Sequence, residues 1–322
     1  MERAAVHMKE ETVQPLPGEA ALARLGLDVT QPRPVTSEKR FPDGGAWRVE
    51  IPSVEGPHAL EAVLEEAQDL GVTMHRVSQG SGVMMLTDAE IKAMLDLAGH
   101  IELSLFLGPR GTWDIGAATR SLSGGSGPRA RGRDQLGQCL VDCARAAELG
   151  VRNVLVADEG VLWAAHQLRE AGELPADMRF KVSVLTGPTN PAAFRVWAGL
   201  GADSINVPSD LTVSQIAELR AASDATLDLY VEAPDDVGGF VRLYDTTELI
   251  RVAAPVYIKF GLRLAPGIYP VGRHLRAVAA DTGRERVRRA RLALDIVERG
   301  GGAPLPMSPI GEPALPVPER FS

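Results

Sequence analysis

The sequence predicts a (β/α)8 barrel of the TIM-like kind, an α/β fold, and three observations carry that reading. Short apolar runs alternate with amphipathic segments eight times along the chain, and strands alternating with helices build a parallel sheet. The eight units span about 250 residues, the size of one such barrel. Helical segments end on glycine ahead of the next strand, as in Asp69-Leu-Gly-Val, Glu148-Leu-Gly-Val and Gly199-Leu-Gly-Ala. Glycine there supplies the left-handed conformation that stops a helix. A doubly wound open sheet is the runner-up, but the glycine-rich dinucleotide fingerprint that would follow its first strand is missing.

Residues 1–45 are Pro-rich and polar, with one short helical candidate at 18–27, and read as an arm covering the barrel bottom. The barrel occupies 46–299. Its strands are expected at 47–53, 73–79, 102–108, 153–158, 180–185, 204–208, 227–234 and 256–261, most of them rich in Val, Ile, Leu or Phe. Helical spacing links them, as in Ala59, Leu60, Val63, Leu64 and Ala67, or Leu136, Leu140, Cys143, Ala144 and Ala147. The connection after the third strand, 109–133, is long for such a loop and carries Trp113 and Asp114, so it is expected to be a lid. Residues 300–322 read as a flexible Pro-rich tail.

Composition narrows the class. Apolar residues make up 45% of the 322 and charged residues 24%, globular proportions that argue against a disordered or fibrous chain. No stretch approaches the ~18–20 apolar residues of a membrane span, and the N-terminus has no apolar signal region. A cytoplasmic location is therefore expected, with no membrane partner. The net charge of −8 disfavours nucleic acid as a partner. The basic run from Arg284 to Arg291 mixes with acids and reads as a solvated helix face. Two cysteines, Cys139 and Cys143, are too few for a disulfide framework or a metal cluster and read as packing.

The functional signal is a polar ring. One charged or polar residue falls in each strand: Glu50, His75, Ser104, Asp158, Lys181, Asn206, Glu232 and Lys259. Several sit between apolar neighbours, as Glu50 does between Val49 and Ile51 and Lys259 between Ile258 and Phe260. Alternate strand residues face the barrel interior, so such flanking marks an inward polar group. Unpaired buried charge is costly; these groups must meet one another, water or a ligand. Mutual salt bridges, Lys181 with Glu232 or Lys259 with Glu50, are the bland alternative; Glu232 and Lys259, on adjacent strands, are the leading functional candidates. A desolvated lysine can act as base or Schiff-base nucleophile. Glu50, His75, Asp158 and Glu232 are donors compatible with a divalent metal, although no His-x-His or Glu-x-x-His spacing points to one. Arg76, Arg110 and Arg263, with Gln79 and Asn206, would hold a small anionic substrate. The glycine-rich turns Ser78-Gln-Gly-Ser-Gly and Gly261-Leu-Arg-Leu-Ala-Pro-Gly offer backbone amides to an oxyanion.

At Phe41-Pro-Asp-Gly-Gly-Ala-Trp-Arg-Val-Glu-Ile-Pro-Ser and Tyr230-Val-Glu-Ala-Pro-Asp-Asp the chain resembles the collagenase-like peptidase family of U-32 type, over roughly residues 45–295. The resemblance implies a TIM-like barrel. It also implies either peptidase activity or the oxygen-independent hydroxylation performed by cluster-bearing relatives. Those relatives carry cysteines from the end of the seventh strand onward. Here that stretch reads Glu232-Ala-Pro-Asp-Asp-Val-Gly-Gly-Phe; an iron–sulfur cluster is not expected, and only Glu232 carries over.

The expected activity is acid–base chemistry on a small carboxylate or phosphate metabolite. In it Glu232 and His75 move protons, Lys259 and Lys181 hold or activate substrate, and Glu50 orients them. The cofactor is unknown. A metal-dependent peptidase or amide hydrolase is the first alternative, and a non-catalytic barrel that binds a ligand or partner is the second. Apolar residues on outer helices, such as Phe194-Arg-Val-Trp, are compatible with a homo-oligomer.

Overall fold

The computed structural model describes residues 18–26, 33–108, 129–311 and 314–321. Eight parallel strands close into one barrel in sequential order: β1 (Trp47–Pro52), β2 (Arg76–Gln79), β3 (Glu102–Leu107), β4 (Asn153–Val156), β5 (Arg179–Val182), β6 (Ser204–Asn206), β7 (Thr226–Glu232) and β8 (Val256–Phe260). Closure through β1 and β8 excludes the open-sheet alternative. A short helix, α1 (Glu19–Arg24), lies within the predicted 18–27 candidate. The helices α2 (Pro57–Asp69), α3 (Asp88–Ala98), α4 (Gly132–Glu148), α5 (Glu159–Glu170), α6 (Pro191–Gly199), α7 (Val213–Ala222), α8 (Thr246–Ala253) and α9 (Arg276–Arg299) follow the strands.

Sequence chemistry sets the helix ends. Thr87 with Glu90 and Thr212 with Gln215 form reciprocal capping boxes at α3 and α7. Asn190 caps α6 ahead of Pro191, and Asp158 caps α5. Gly201 ends the α6 turn at φ +122°, with the His166 ring so close that a Cβ would overlap it. Outward strand residues such as Val49, Ile51, Val77, Val154, Ile205 and Ile258 join the helix faces in one continuous core. Cys139 and Cys143 lie in it, their thiols pushed up to about 12 chiefly by burial. The basic run on α9 carries pairs such as Arg284–Glu65, Arg288–Glu285 and Arg291–Asp295. Arg286 of that run is buried instead of solvated.

Arm and tail meet at the N-terminal ends of the strands. The arm runs past α7 and α8: Ser37 N donates to Arg251 O at 2.9 Å, and Lys39 pairs with Asp224 at 2.6 Å. Phe41 then packs under Arg48 and against the edge of Tyr257. The segment read as a flexible tail is, in its described part, seated on the barrel. Ser308 N donates to Trp47 O, and Ala46 N to Pro306 O. Arg48 bonds Ser308 Oγ, Asp43 and Tyr257 at 2.8–3.0 Å, tying arm, tail and barrel floor together. Farther along, Phe321 N donates to Gly199 O. Most of the expected lid, with Arg110, Trp113 and Asp114, lies outside the described residues.

His75 belongs to this floor. Its Nδ1 accepts from Val49 N at 3.1 Å and its Nε2 donates to Ser308 O at 2.9 Å, which fixes a neutral ring. Burial pushes its pKa down to about 4, and Arg48 acts in the same direction against the Ser308 carbonyl and Asp43.

Two outcomes follow. Unfolded His75 takes up a proton below its ordinary 6.5 while the folded ring resists until about 4. Its contribution is thus complete above pH 6.5 and falls away toward pH 4, by at most roughly 3 kcal/mol. Denaturant midpoints across that window should fall more steeply for the wild type than for His75→Gln; parallel curves would contradict the assignment. At Gly45, where an added Cβ would overlap Ser308 backbone atoms, Gly45→Ala should cost roughly 1–3 kcal/mol in thermal or denaturant unfolding.

Candidate functional site

Barrel interiors of this class are usually filled by branched apolar side chains. This one is ionic. Glu50, fully buried on β1, is its hub. Glu50 Oε1 accepts from Lys181 Nζ, lies 3.2 Å from Lys259 Nζ, and accepts from Ser78 Oγ at 2.7 Å. Its Oε2 accepts from Arg76 Nη1 at 3.2 Å. Arg76 reaches two more carboxylates, Glu102 Oε2 at 2.5 Å and Asp228 Oδ1 at 3.1 Å, and its guanidinium stacks 3.5 Å from the Tyr257 ring centroid. Arg76, Lys181 and Lys259 thus face Glu50, Glu102 and Asp228, while Arg179 adds a fourth cation on Glu102 from a partly exposed position.

The protonation states follow from these contacts. Burial opposes ionisation of Glu50, but Lys181, Lys259 and Arg76 outweigh it and hold the carboxyl well below its usual range. Glu102 is held down to about 2 against its burial by Arg76 and Arg179. The two lysines diverge. For Lys259 burial is overcome by Glu50, with Tyr230 and Asp228 assisting, so its pKa is raised. Its ammonium donates to Asn206 Oδ1 at 2.5 Å and lies 4.4 Å from the Tyr230 ring centroid. For Lys181 burial prevails, and repulsion from Lys259 and Arg76 acts with it against Glu50 and Asp228. Its pKa falls to about 7.

The structure brings together Glu50, Lys181, Lys259, Asn206 and Arg76 from the predicted set, and leaves Ser104 in the same interior. It separates the others. His75 lies one residue out of phase, because β2 turns Arg76 and Ser78 inward and Val77 outward. Glu232 fails for a different reason. The β7–β8 register shifts between Tyr230 and Glu232, a bulge that turns the last residue of the strand to the outer face. There Glu232 accepts from Arg263 N at 3.0 Å and lies 3.6 Å from Arg289 on α9. Glu232 and Lys259 are thus kept apart, and of the two alternative interior ion pairs, Lys259–Glu50 forms at 3.2 Å while Lys181 pairs with Glu50 and Asp228 instead of Glu232. Asp158 is occupied as a cap, accepting from Val161 N and Ala130 N. Gln79 braces its own turn through Gly82, and Arg110 is outside the described residues.

Both glycine-rich turns are anion cradles, filled by the chain itself. Glu55 accepts from Gly80 N at 2.7 Å and Ser81 N at 3.1 Å. Asp235 accepts from Leu264 N and lies 3.3 Å from Arg263 Nε.

The four candidate metal donors, Glu50, His75, Asp158 and Glu232, sit in the interior, the floor, a helix cap and the outer face. Among the described residues no group of three or more His, Cys, Asp or Glu is placed to hold a metal ion. An iron–sulfur cluster takes about four thiolates; the chain has two cysteines, both buried in α4, and this donor set does not fit one. Glu102, Asp228, Tyr230 and Tyr257 complete the site and were not singled out by sequence. For Asp228 and Tyr230 the signal was present in β7, where Leu227, Leu229 and Val231 alternate with them.

A family model described as peptidase family U32 matches residues 133–233, supporting a U32-type assignment. No curated protein matches the chain. Among solved structures, the U32 peptidase Mk0906 is 17% identical, with a TM-score of 0.42, over 72% of this chain and 98% of its own. A protein described as a lyase/mutase from Burkholderia cenocepacia J2315 is 14% identical, with a TM-score of 0.44, over 81% of this chain and 85% of its own. A Rubisco-like protein from Rhodopseudomonas palustris is 14% identical at the same TM-score, over 77% and 65%.

Removing the central cation should expose how the interior is balanced. Arg76→Met leaves Glu102 and Asp228 without their main counter-charge, and should cost roughly 3–5 kcal/mol in urea unfolding. A loss below about 1 kcal/mol would show that the carboxylates find other partners.

Proposed function

With a U32-type barrel as the premise, we propose an enzyme that acts on a small anionic carbonyl compound, such as a 2-keto acid, with Lys181 as amine nucleophile. The observation that carries this reading is the divergence of two lysines on one carboxylate. Groups whose surroundings push their pKa values apart are how a site assigns acid and base roles. At about 7, roughly half of Lys181 is neutral amine at neutral pH. Lys259 keeps its proton and so keeps Glu50 ionised.

The neutral Lys181 Nζ attacks the carbonyl carbon, forming a C–N bond while the carbonyl oxygen takes up a proton. Water then leaves the carbinolamine, giving a protonated Schiff base. Glu50, bonded to Lys181, takes the proton that the attacking amine loses and passes it to the departing oxygen, while the proton first taken up by the carbonyl oxygen comes from solvent and Lys259 keeps its own. Lys259 and Arg76 supply positive charge for the substrate anion. Substrate enters from the C-terminal ends of the strands, the face on which barrels of this class carry their chemistry. His75 and Glu232 take no part, being on the floor and the outer wall. Among the described residues no donor set is assembled that would support the metal-dependent hydrolase.

A second reading rests on one observation: Lys181 is fully buried and the interior charges are mutually paired. On that reading the network is a structural plug and the barrel is non-catalytic. Borohydride reduction in the presence of keto acids separates the two. The expected result is a covalent mass addition that maps to Lys181 and disappears in Lys181→Met. Absence of any adduct with a panel of keto acids and phosphorylated carbonyl compounds would favour the plug.

A further inference from the structure

We propose that the barrel interior binds one ordered water molecule between Arg76, Ser104 and Asn153, on the floor side of the lysine pair. Arg76 Nη2, Ser104 Oγ and Asn153 Oδ1 are buried and have no hydrogen-bond partner among the described residues. Buried polar atoms are almost always satisfied, and orphans grouped together mark a shared partner.

The three side chains are neighbours. Arg76 Nε donates to Glu102 Oε2 at 2.5 Å, while Asn153 Nδ2 donates to Glu102 Oε1 at 3.0 Å. Two side chains therefore converge on the two oxygens of one carboxylate. Ser104 lies two residues beyond Glu102 on the same face of β3 and is the register partner of Asn153 on β4.

The donor and acceptor pattern selects the occupant. Glu102, ionised, can only accept, so the Asn153 amide orientation is fixed with Nδ2 toward it and Oδ1 turned away. The occupant must accept from Arg76 Nη2 and donate to Asn153 Oδ1. A simple anion cannot donate, and it would meet Glu102, Glu50 and Asp228. A cation would meet Arg76. Water does both, and the Ser104 hydroxyl supplies a third bond, the usual number for an internal water. The inference stands independently of the role proposed for Lys181.

A crystal structure that resolves ordered solvent tests this directly. Density is expected within ~2.7–3.2 Å of all three atoms; well-ordered side chains with nothing between them would overturn the proposal. Oxygen-17 relaxation dispersion provides a second readout of long-lived internal water. Ser104→Val, which fills the position, should lose one such water relative to wild type, whereas Ser104→Ala should keep it. An unchanged count in a folded Ser104→Val would also overturn it. If that variant fails to fold, the wild-type density decides.

Discussion

Arg76 is the one group on which the rest of the interior depends. Its guanidinium is shared by Glu50, Glu102 and Asp228, carboxylates from β1, β3 and β7, and its central carbon sits over the Tyr257 ring on β8. Transferring such charges from water costs several kcal/mol each, repaid only when geometry is good and remaining hydrogen-bonding positions are used. Here each carboxylate receives further donors: Ser78 and Lys181 on Glu50, Asn153 and Arg179 on Glu102, Ser204 on Asp228. Packing and electrostatics are therefore one problem. Any change to one member leaves charge unbalanced in a place water cannot readily reach.

That balance also explains why the lysines differ. A single carboxylate between two ammonium groups stabilises one proton fully and the second only partly. Lys259 has Asn206 and the Tyr230 face beside it; Lys181 faces repulsion from Lys259 and Arg76. A structural ion pair needs only opposite charges. An excess of cations around one acid is what leaves a titratable amine, and the proposed chemistry grows from it.

The fold was legible because its signals are local and repeated: alternation of strand and helix, glycine at helix ends, outward Val and Ile. Glu50, Lys181, Asn206 and Lys259 were legible for the same reason, each lying between outward apolar neighbours. His75 was misread by choosing the wrong parity in a short strand, although Val77 marks which face is outside. Glu232 had the right parity, and the bulge before it reversed the face; nothing in Tyr230-Val-Glu announces an extra residue. The glycine-rich turns did hold anions, but which carboxylate would fill them depends on Glu55 and Asp235, brought there only by the closed barrel. The Pro-rich tail lacked periodicity, so its seat on the floor could not be read from pattern.

The β7 bulge has a consequence for how this wall could change. Because side chains alternate with a period of two, a single extra residue exchanges the two faces for everything beyond it. A chain one residue longer between Val231 and the glutamate, with the bulge kept, would turn the carboxylate at the strand end from the helix layer to the barrel mouth, above the lysine on β8. It would also release Arg289 on α9 and the Arg263 amide from that carboxylate. The acid inventory of the mouth is thus set by strand length as much as by residue identity, and an insertion, without any substitution, is a route between an amine-centred interior and an amine–acid pair.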